Sequence, residues 1–411
     1  MKILLYGLNY APEQTGIGKY SGEMGAWFAK QGHQVKAISS VPYYPAWSID
    51  KQFRNWFSKQ NLEGVDVYRC PLYVPKKPTT LRRLMHLWSF VFSSVMVLLF
   101  LLRWRPTVMI NVVPTLFTTI PAWLYCKLTG AKLVLHVQDF EGDAMFGLNM
   151  SVKGFLPSMW VKLERFVLSK ANCLSTISNA MMQNAANKGV AEDKLLLFPN
   201  WSETQRFADV EIDHEFRQSL GFQTDKKIIL YSGNIGRKQG LDMLLRAAWL
   251  CRDRDDWLFV IVGDGAAKQG LLDQAEELAI DNLKFLPLQP YDKLPQLLSL
   301  ADVHLVIQNP GVADAVLPSK LTNILAVGGN AVITTTDDTE MGHLIQHYPG
   351  VATKVLPENE KELISGIKEA LSQPLPNQVA KQYAQDMLDK ESVLSTFEAQ
   401  LRLLGAKTRV I

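Results

Sequence analysis

A strand, a glycine-bearing loop and a helical pattern follow one another twice in this chain, about half its length apart. The apolar runs KILLYGLN at 2–9 and KIILYSGN at 227–234 are each typical of a buried parallel strand. Glycines follow at 16–18 and at 233–236. This order opens a doubly wound sheet, so two copies predict an α/β fold with two such domains. A length of 411 residues agrees, because single hydrophobic cores stop growing well below it.

Short apolar runs alternate with helical stretches in both halves of the chain. The first run predicts a strand ending near Gly7, and the junction between the domains is expected around 200–225. We therefore predict domains at 1–203 and 204–378, followed by a helical segment at 379–411. The other predicted strands lie near 34–39, 65–69, 108–112, 132–137, 173–177 and 195–198 in the first half, and near 227–231, 257–262, 283–286, 303–307 and 330–334 in the second.

Charge is distributed unevenly along the chain. The net charge is +3 overall, but residues 1–200 carry +11 and the remainder carries −8. A basic half also raises the possibility of nucleic acid as a partner, yet no recognition helix and no aromatic–basic interleaving is visible. Four widely spaced cysteines without a CxxC motif exclude a disulfide framework and indicate a reducing, cytoplasmic setting.

One segment, 84–102, contains no Asp, Glu, Lys or Arg over 19 residues. It is long enough to span a membrane. Spanning would place neighbouring strands of one sheet on opposite sides of the bilayer, so we favour either burial on the sheet or a helix lying in the membrane interface. Flanking cations favour the interface, and we expect 76–105 to bind an anionic membrane surface. These cations are Lys76, Lys77, Arg82, Arg83, Arg103 and Arg105.

Two segments of the second half predict a pocket for a nucleotide diphosphate. SGNIGRK at 232–238 places flexible backbone and two cations at the carboxyl end of a strand, where doubly wound sheets bind ligands. The other segment is the start of a helix expected near Pro318, where the amides of Ser319 and Lys320 are free to face a phosphate. Either segment alone is equally compatible with an ordinary turn and helix cap, but both at the expected strand ends favour a binding site.

The whole chain resembles the family 4 retaining glycosyltransferases of the GT-B fold, and within them the colanic acid biosynthesis subgroup. The subgroup likeness rests on PYYPAW (42–47), CPLYVPKKPTTLRRLMHL (70–87) and VLHVQDFEGDAM (134–145). The family likeness is carried by TGIGKYSGEMGAWFAKQGHQV (15–35), FPN (198–200), YSGNIGRKQGLDMLLRAA (231–248), VIVGDGAAK (260–268) and LPSKLTNILAVGGNAVIT (317–334).

This resemblance implies two Rossmann-like domains facing across a cleft, with the C-terminal helix crossing back to the first. It implies transfer of a sugar, with retention, from a nucleotide-sugar donor to an undecaprenyl-diphosphate-linked oligosaccharide in exopolysaccharide assembly. GDP-fucose is one candidate donor, and the location would be the inner face of the cytoplasmic membrane. A nucleotide-sugar epimerase of the same fold and a non-catalytic membrane scaffold are the alternatives.

The sequence motifs and the family resemblance together give the expected site residues. Retaining transfer in this fold is thought to need no paired carboxylates, so charge stabilisation of the diphosphate carries the chemistry. We expect Arg237, Lys238, His136 and Asp139 to be catalytic, and Tyr43, Tyr44, Trp47 and Glu141 to contact the acceptor. The expected donor-binding residues are Gly16, Gly18, Gly233, Asn234, Gly236, Gly263, Asp264, Pro318, Ser319, Lys320, Leu321 and Asn323.

Three departures from the family pattern bear on these assignments. Asn323 and Ala315 stand where the family has two glutamates, and an amide at 323 offers hydrogen bonds but no carboxylate. Gln138 stands where the family has a histidine, with His136 two residues earlier on the same strand face.

The DxD-like pair within RDRDD at 252–256 precedes a strand, so we interpret it as solvated and predict neither a metal nor a cofactor.

Overall fold

The computed structural model describes residues 1–13, 16–44, 46–76, 79–113, 116–140, 155–309 and 317–406. The chain divides into two compact units, one formed by Met1–Pro199 with Leu394–Ile411 and the other by Asn200–Val393. Residues 200–203, predicted to end the first domain, lie in the second unit because the backbone of Ser202 bonds to Leu388 and Lys390. The predicted closing segment is divided between the two units at Leu394.

The first unit is built on an eight-stranded sheet in the order β3-β4-β2-β1-β5-β6-β7-β8. All neighbouring pairs are parallel except β3 with β4, which is an antiparallel edge pair. Every strand predicted in this half is present, and β3 is an additional one. The strands are β1 (Lys2–Gly7), β2 (Gln34–Ser40), β3 (Ser58–Leu62), β4 (Val65–Cys70), β5 (Val108–Val113), β6 (Lys132–Val137), β7 (Cys173–Thr176) and β8 (Leu195–Leu197).

Helices cover the sheet of the first unit. The last helix joins the first unit from Leu394 onward. Its Phe397 ring stacks on Phe198 at 3.7 Å between centroids, and its Glu398 side chain forms a hydrogen bond with His33 at 2.6 Å. The helices are α1 (Gly16–Lys30), α2 (Thr80–Phe100), α3 (Thr119–Thr129), α4 (Phe155–Ser169), α5 (Asn179–Asn187) and, after the second unit, α15 (Lys390–Ala406).

The second unit has a wholly parallel sheet in the order β11-β10-β9-β12-β13-β14. Alternate residues of β9 point into two apolar cores, Ile228 and Leu230 into one and Ile229 and Tyr231 into the other. Both faces are therefore covered, as parallel sheets require. The strands are β9 (Lys227–Ser232), β10 (Trp257–Val262), β11 (Leu283–Leu286), β12 (Val303–Val306), β13 (Ala331–Thr334) and β14 (Thr353–Val355), of which only β14 was not predicted.

The helices of the second unit connect these strands and end with one that packs beside Gly328. The chain order places β12 beside β9, whereas β10 and β11 lie on the other side of β9, so the strand order reverses between β9 and β12. The helices are α6 (Thr204–Phe207), α7 (His214–Ser219), α8 (Asp242–Leu250), α9 (Lys268–Glu277), α10 (Leu294–Ser299), α11 (Ser319–Val327), α12 (Glu340–His347), α13 (Glu360–Ser372) and α14 (Gln378–Met387).

Helix α2 corresponds to the uncharged segment, and it is apolar on both sides. One face, including Phe90, Val97 and Leu98, is buried against the sheet. Among the described residues, Leu81–Phe100 is the one helix long and apolar enough to cross a membrane, by length and composition alone. Its other face is open, with side chains 39–73% exposed, so complete burial is excluded. The exposed residues are Leu81, Met85, Trp88, Phe92, Met96, Leu99 and Phe100.

The prediction that Gly16–Gly18 forms a loop ahead of the first helix is wrong. α1 begins at Gly16, whose φ of 58° lies in the left-handed region, and Gly18 is within the first turn. Gly18 has to lack a side chain because a Cβ there would lie 2.6 Å from Oε2 of Glu13. Gly16 and Gly18 therefore belong to α1 and not to the predicted loop.

Candidate active site

In the second unit, the loops after β9 and β12 meet where the strand order reverses. The 3₁₀ turn Arg237–Gln239 is tied to the end of β12 because Asn309 donates its backbone amide to the Lys238 carbonyl at 3.1 Å and its side chain to the Arg237 carbonyl at 3.0 Å. Ligands of doubly wound sheets bind in such a crevice at the carboxyl ends of the strands. The structure thus places the predicted cations at the expected edge of the sheet.

The loop after β10 packs directly on the loop after β9. A Cβ at Gly263 would lie 1.9 Å from the carbonyl oxygen of Gly233, so only glycine allows this approach. The carbonyl of Asp264 accepts a bond from the Ile235 amide at 2.8 Å, and its carboxylate accepts from the Gly265 amide at 2.8 Å. Asp264 therefore shapes the loop and leaves the Asn234–Gly236 backbone fixed.

Helix α11 begins beside the same loop. Pro318 precedes the first helical residue, Ser319, and the first amides of a helix have no acceptor within the helix. A Cβ at Gly233 would lie 3.6 Å from Cδ of Lys320, which shows how close the two segments are. A positive helix end, free amides and a lysine therefore converge at one point, as the sequence predicted, and this arrangement suits an anion.

Lys320 is the most perturbed cation of this site. Its ammonium lies 4.0 Å from the ring centroid of Tyr231, and the Tyr231 hydroxyl donates to the carbonyl of Asn234 at 2.7 Å. Burial lowers the pKa of Lys320 to about 7. An anion beside the ammonium would restore its proton, because an opposite charge favours the charged form.

Two other predicted donor-binding residues on α11 are differently placed. The prediction that Leu321 contacts the donor is wrong. Its side chain is fully buried in the core, and its amide already donates to the Pro318 carbonyl at 2.9 Å. Asn323 accepts a bond from the Ser202 hydroxyl at 2.9 Å through its Oδ1. Its NH₂ group is what remains to contact a ligand.

In the first unit, a cavity of about 470 Å³ opens at the carboxyl ends of β1 and β2. It unites residues predicted for two different roles, since the expected acceptor residues Tyr43, Tyr44 and Trp47 line it together with Gly16 and Gly18. The ring of Tyr43 contacts Trp47 edge-on at 5.7 Å between centroids. The remaining lining residues are Leu8, Asn9, Ile17, Arg83, His86 and Leu87.

Glu13 organises one wall of this cavity and was not predicted. Its carboxylate is buried, accepts from the Asn9 side chain at 2.9 Å, and accepts from the amides of Tyr43 and Tyr44 at 3.2 and 3.1 Å. Burial raises the pKa of Glu13. The loops after β1 and β2 are therefore joined through one carboxylate, which only long-range contacts reveal.

Arg69, on β4, is a second unpredicted group beneath the cavity. Its side chain is 1% exposed and donates to the Ser39 hydroxyl at 2.7 Å, to the Ser40 carbonyl at 3.2 Å and to the Ala11 carbonyl. Burial lowers the pKa of Arg69 to about 10, and the charge of Glu13 opposes that shift. This buried cation fixes the ends of β2 and of the loop that carries Glu13.

His136 lies within the core of the first unit. Its Nδ1 contacts the Ser175 hydroxyl at 3.0 Å, its Nε2 contacts the Gln138 side chain at 2.7 Å, and its ring packs on Phe198 at 5.0 Å. Burial lowers the pKa of His136 to about 3. The geometry supports a structural role that orients Gln138 and not the predicted catalytic one.

Asp139 is exposed at the same strand end, and Glu141 and Ala315 lie outside the described residues.

Within the described ranges, no group of three or more His, Cys, Asp or Glu side chains is placed to hold a metal ion. Asp253 and Asp255 lie exposed in the turn before β10, at the amino end of that strand, where Arg254 pairs with Asp256 at 2.8 Å. This turn is at the opposite sheet edge from the anion site, so the DxD-like pair has no part in it.

Comparison with known proteins agrees with this architecture. Residues 15–201 match the family model for a glycosyl transferase 4-like domain, and residues 213–387 match that for glycosyl transferases group 1. The chain is 50% identical over 408 residues to the putative colanic acid biosynthesis glycosyl transferase WcaI of Escherichia coli (strain K12), covering 98% of this chain and all of the relative.

Two solved structures share the fold at low identity. Sucrose-phosphate synthase from Thermosynechococcus elongatus has a TM-score of 0.75 at 14% identity, covering 99% of this chain and 100% of that one. HepE of Anabaena, solved in complex with UDP, has a TM-score of 0.70 at 14% identity, covering 98% and 100%. Fold and sequence together define an enzyme class, the glycosyltransferases of GT-B architecture. The chain belongs to family 4 of that class and groups with the WcaI-like colanic acid biosynthesis glycosyltransferases, which confirms the predicted family, fold and enzyme class.

Proposed function

We propose that this enzyme transfers a sugar, with retention of anomeric configuration, from a nucleotide sugar to an undecaprenyl-diphosphate-linked oligosaccharide during exopolysaccharide assembly. The observation that carries the proposal is the anion site of the second unit, where the start of α11, Lys320 and the turn with Arg237 and Lys238 converge at the reversal of strand order. The printed name of the WcaI relative supports a colanic acid-type pathway. GDP-fucose is our first candidate donor.

The chain's own residues suffice for the proposed transfer. The bond between the sugar C1 and the diphosphate oxygen breaks, and the acceptor hydroxyl oxygen forms the new bond to C1 from the same face. The hydroxyl proton passes to the departing diphosphate, whose growing negative charge is stabilised by the Ser319 and Lys320 amides and by the cations. Catalysis then rests on charge stabilisation and orientation, and we propose that no metal is required.

The pKa of Lys320 gives this proposal a pH signature. A nucleotide sugar such as GDP-fucose or UDP-glucose should raise that pKa from about 7, so binding takes up about 0.9 proton at pH 8 and about 0.1 at pH 6. Affinity should therefore be constant at low pH and fall as pH rises above 7. Isothermal titration at pH 8 in buffers of different ionisation enthalpy counts the protons. Lys320→Arg, whose charge does not titrate, should abolish the uptake, and its persistence in that variant would exclude Lys320 as the source.

We further propose that the first unit binds the anionic cytoplasmic membrane surface. The open face of α2 continues onto exposed Leu124 and Leu128 of α3. Exposed Arg103 and Arg105 flank a concave surface with Leu128 at the end of α2. Aromatic rings cluster beside it, with Trp88 4.8 Å from Phe117 between centroids. Apolar area beside aromatic rings and cations is the composition of an interfacial helix, and each cation near an anionic surface contributes about 1 kcal/mol.

The double variant Phe92→Gln/Met96→Gln should lower binding to phosphatidylglycerol vesicles at least about tenfold, because it removes apolar area from the lipid-facing side only. Vesicle flotation measures the bound fraction. Leu288→Gln is the matched control, since Leu288 of the second unit is as exposed as Phe92, both at 68%. Full recovery of the wild-type protein in a detergent-free extract at low salt, without vesicle binding, would overturn the membrane proposal.

The transfer itself is tested with radiolabelled GDP-, UDP- and dTDP-sugars and an undecaprenyl-diphosphate glycan as acceptor. Transfer from at least one donor is the expected result, and no transfer from any of them would refute the function. Conversion of a nucleotide sugar without acceptor would indicate an epimerase. Unchanged pathway flux after Arg237→Ala, Lys238→Ala and Lys320→Ala would indicate a non-catalytic scaffold.

A further inference from the structure

His86 lines the cavity of the first unit and is fixed by a contact outside it. The residue lies in the second turn of α2, and its Nδ1 is 2.6 Å from the carbonyl oxygen of Tyr73. A carbonyl can only accept a hydrogen bond, so Nδ1 carries the hydrogen. In the neutral ring, Nε2 is then left as an acceptor with a lone pair.

That Nε2 has no hydrogen-bond partner among the described residues, although the side chain is only 2% exposed. The rings around it are Tyr43, at 4.7 Å between centroids, and Trp47, at 5.4 Å, and neither supplies a bond to it. Burial lowers the pKa of His86, which keeps the ring neutral at physiological pH. A buried acceptor without a donor carries an uncompensated desolvation cost, so a ligand that supplies a donor relieves that cost on binding.

The chemistry of the cavity defines the ligand that fits. An unprotonated phosphate or carboxylate cannot donate to Nε2, whereas a hydroxyl can. Trp47 and Tyr44 offer aromatic surface, Asn9 is a second polar group, and the guanidinium of Arg83 lies 5.8 Å from the Trp47 ring centroid. Aromatic surface beside a few placed polar groups is the composition of a small-molecule site. A sugar, with apolar C–H faces and hydroxyl edges, meets both requirements.

We infer that His86 is a specificity-determining residue of the acceptor subsite, whose Nε2 accepts a hydrogen bond from one hydroxyl of the acceptor sugar. The inference rests on the proposed transfer for the identity of that sugar as the acceptor. It assigns the cavity of the first unit to a hydroxyl-bearing ring, with His86 selecting the position of the hydroxyl. Water in place of the sugar is the competing occupant.

Two variants separate this role from a structural one. His86→Asn keeps a side-chain NH that can donate to the Tyr73 carbonyl, but it has no atom at the position of Nε2. Ser89→Ala is the matched control, because the Ser89 hydroxyl also holds Tyr73, accepting from its amide at 2.8 Å, without lining the cavity. Unfolding midpoints of both variants are measured first, so that any loss of fold is detected.

The transfer experiment uses farnesyl-diphosphate-linked glucose and galactose, each also prepared in its 2-, 3-, 4- and 6-deoxy forms. The wild type should lose about 10- to 100-fold in kcat/KM when one particular hydroxyl is removed. His86→Asn should lose the same factor with the intact acceptor and no longer distinguish that deoxy form, while nucleotide affinity stays unchanged. Equal losses in His86→Asn and Ser89→Ala, or unchanged discrimination among deoxy forms, would overturn the inference.

A second measurement does not depend on transfer. In ¹⁵N-histidine-labelled protein, the unbonded Nε2 of His86 should shift on addition of the intact acceptor and not of the critical deoxy form. If neither acceptor moves this resonance, the subsite is refuted and water is the occupant. If the resonance moves but no nucleotide sugar supports transfer, the subsite stands and the proposed function fails.

Discussion

Lys320→Met should lower sugar transfer by about 10²–10³-fold, because it removes the charge closest to the start of α11, where we propose that the diphosphate leaves. The Lys320 ammonium lies over Tyr231 beside Gly233, whereas Arg237 and Lys238 at the same sheet edge are exposed to solvent, which screens their charge. The measurement is kcat/KM with the radiolabelled donor that supports transfer, together with nucleotide affinity by titration.

Lys293→Met provides the control for this experiment. Lys293 belongs to the same unit and also lies over an aromatic ring, Phe216, with 5.6 Å from the ammonium to the ring centroid. It precedes α10 and does not line the anion site. Its replacement should leave transfer unchanged. Equal activity of the two variants would contradict the assignment of Lys320 to the donor site.

Arg69→Met should lower the free energy of unfolding of the first unit by about 1–3 kcal/mol, which is the cost of leaving a buried acceptor without its donor. The substitution removes the Arg69 donor from the Ala11 carbonyl and one of two donors from the Ser40 carbonyl, and it takes away the positive charge that favours the ionised form of the buried Glu13. Urea unfolding followed by tryptophan fluorescence measures the change, provided that the slope with denaturant is unaltered.

Lys59→Met is the control for Arg69. Lys59 pairs with Asp66 at 3.0 Å on the neighbouring strands β3 and β4, but this pair is open to solvent. Exposed ion pairs add little to stability, so the unfolding midpoint should hardly move. A loss in Arg69→Met no larger than that of the control would mean that the cavity wall does not depend on the buried cation.

The sequence predicted most of the strands because parallel strands buried on both faces are continuous apolar runs. The two strands that it missed lack that signal. β3 is the polar edge strand SKQNL, and β14 has only three residues, TKV. Neither has enough buried apolar residues to stand out from a turn. Both are fixed by pairing with a neighbouring strand, which is a long-range property.

The candidate site was predictable where chemistry is local and unpredictable where it depends on folding. Glycines, cations and a helix start mark the anion site within short segments, and the structure brings them together. The prediction for Leu321 failed because the helical periodicity of α11 directs its side chain into the core, three residues after Pro318. The roles of Glu13, Arg69 and His86 could not be read from local sequence, because they arise from partners 13 to 58 residues away in the chain.

Helix α2 also has a consequence for biosynthesis. Its inward face packs partly on residues of β5 and α3, such as Met109 and Ala122, which the ribosome produces only after the helix is complete. Until then, both apolar faces of this 21-residue helix, which contains no acidic residue, are uncovered in the nascent chain. By length and composition alone, such a segment meets the criteria for a membrane-spanning helix. The order of synthesis therefore leaves both apolar faces of this helix uncovered until the strands and helix that follow it have been made.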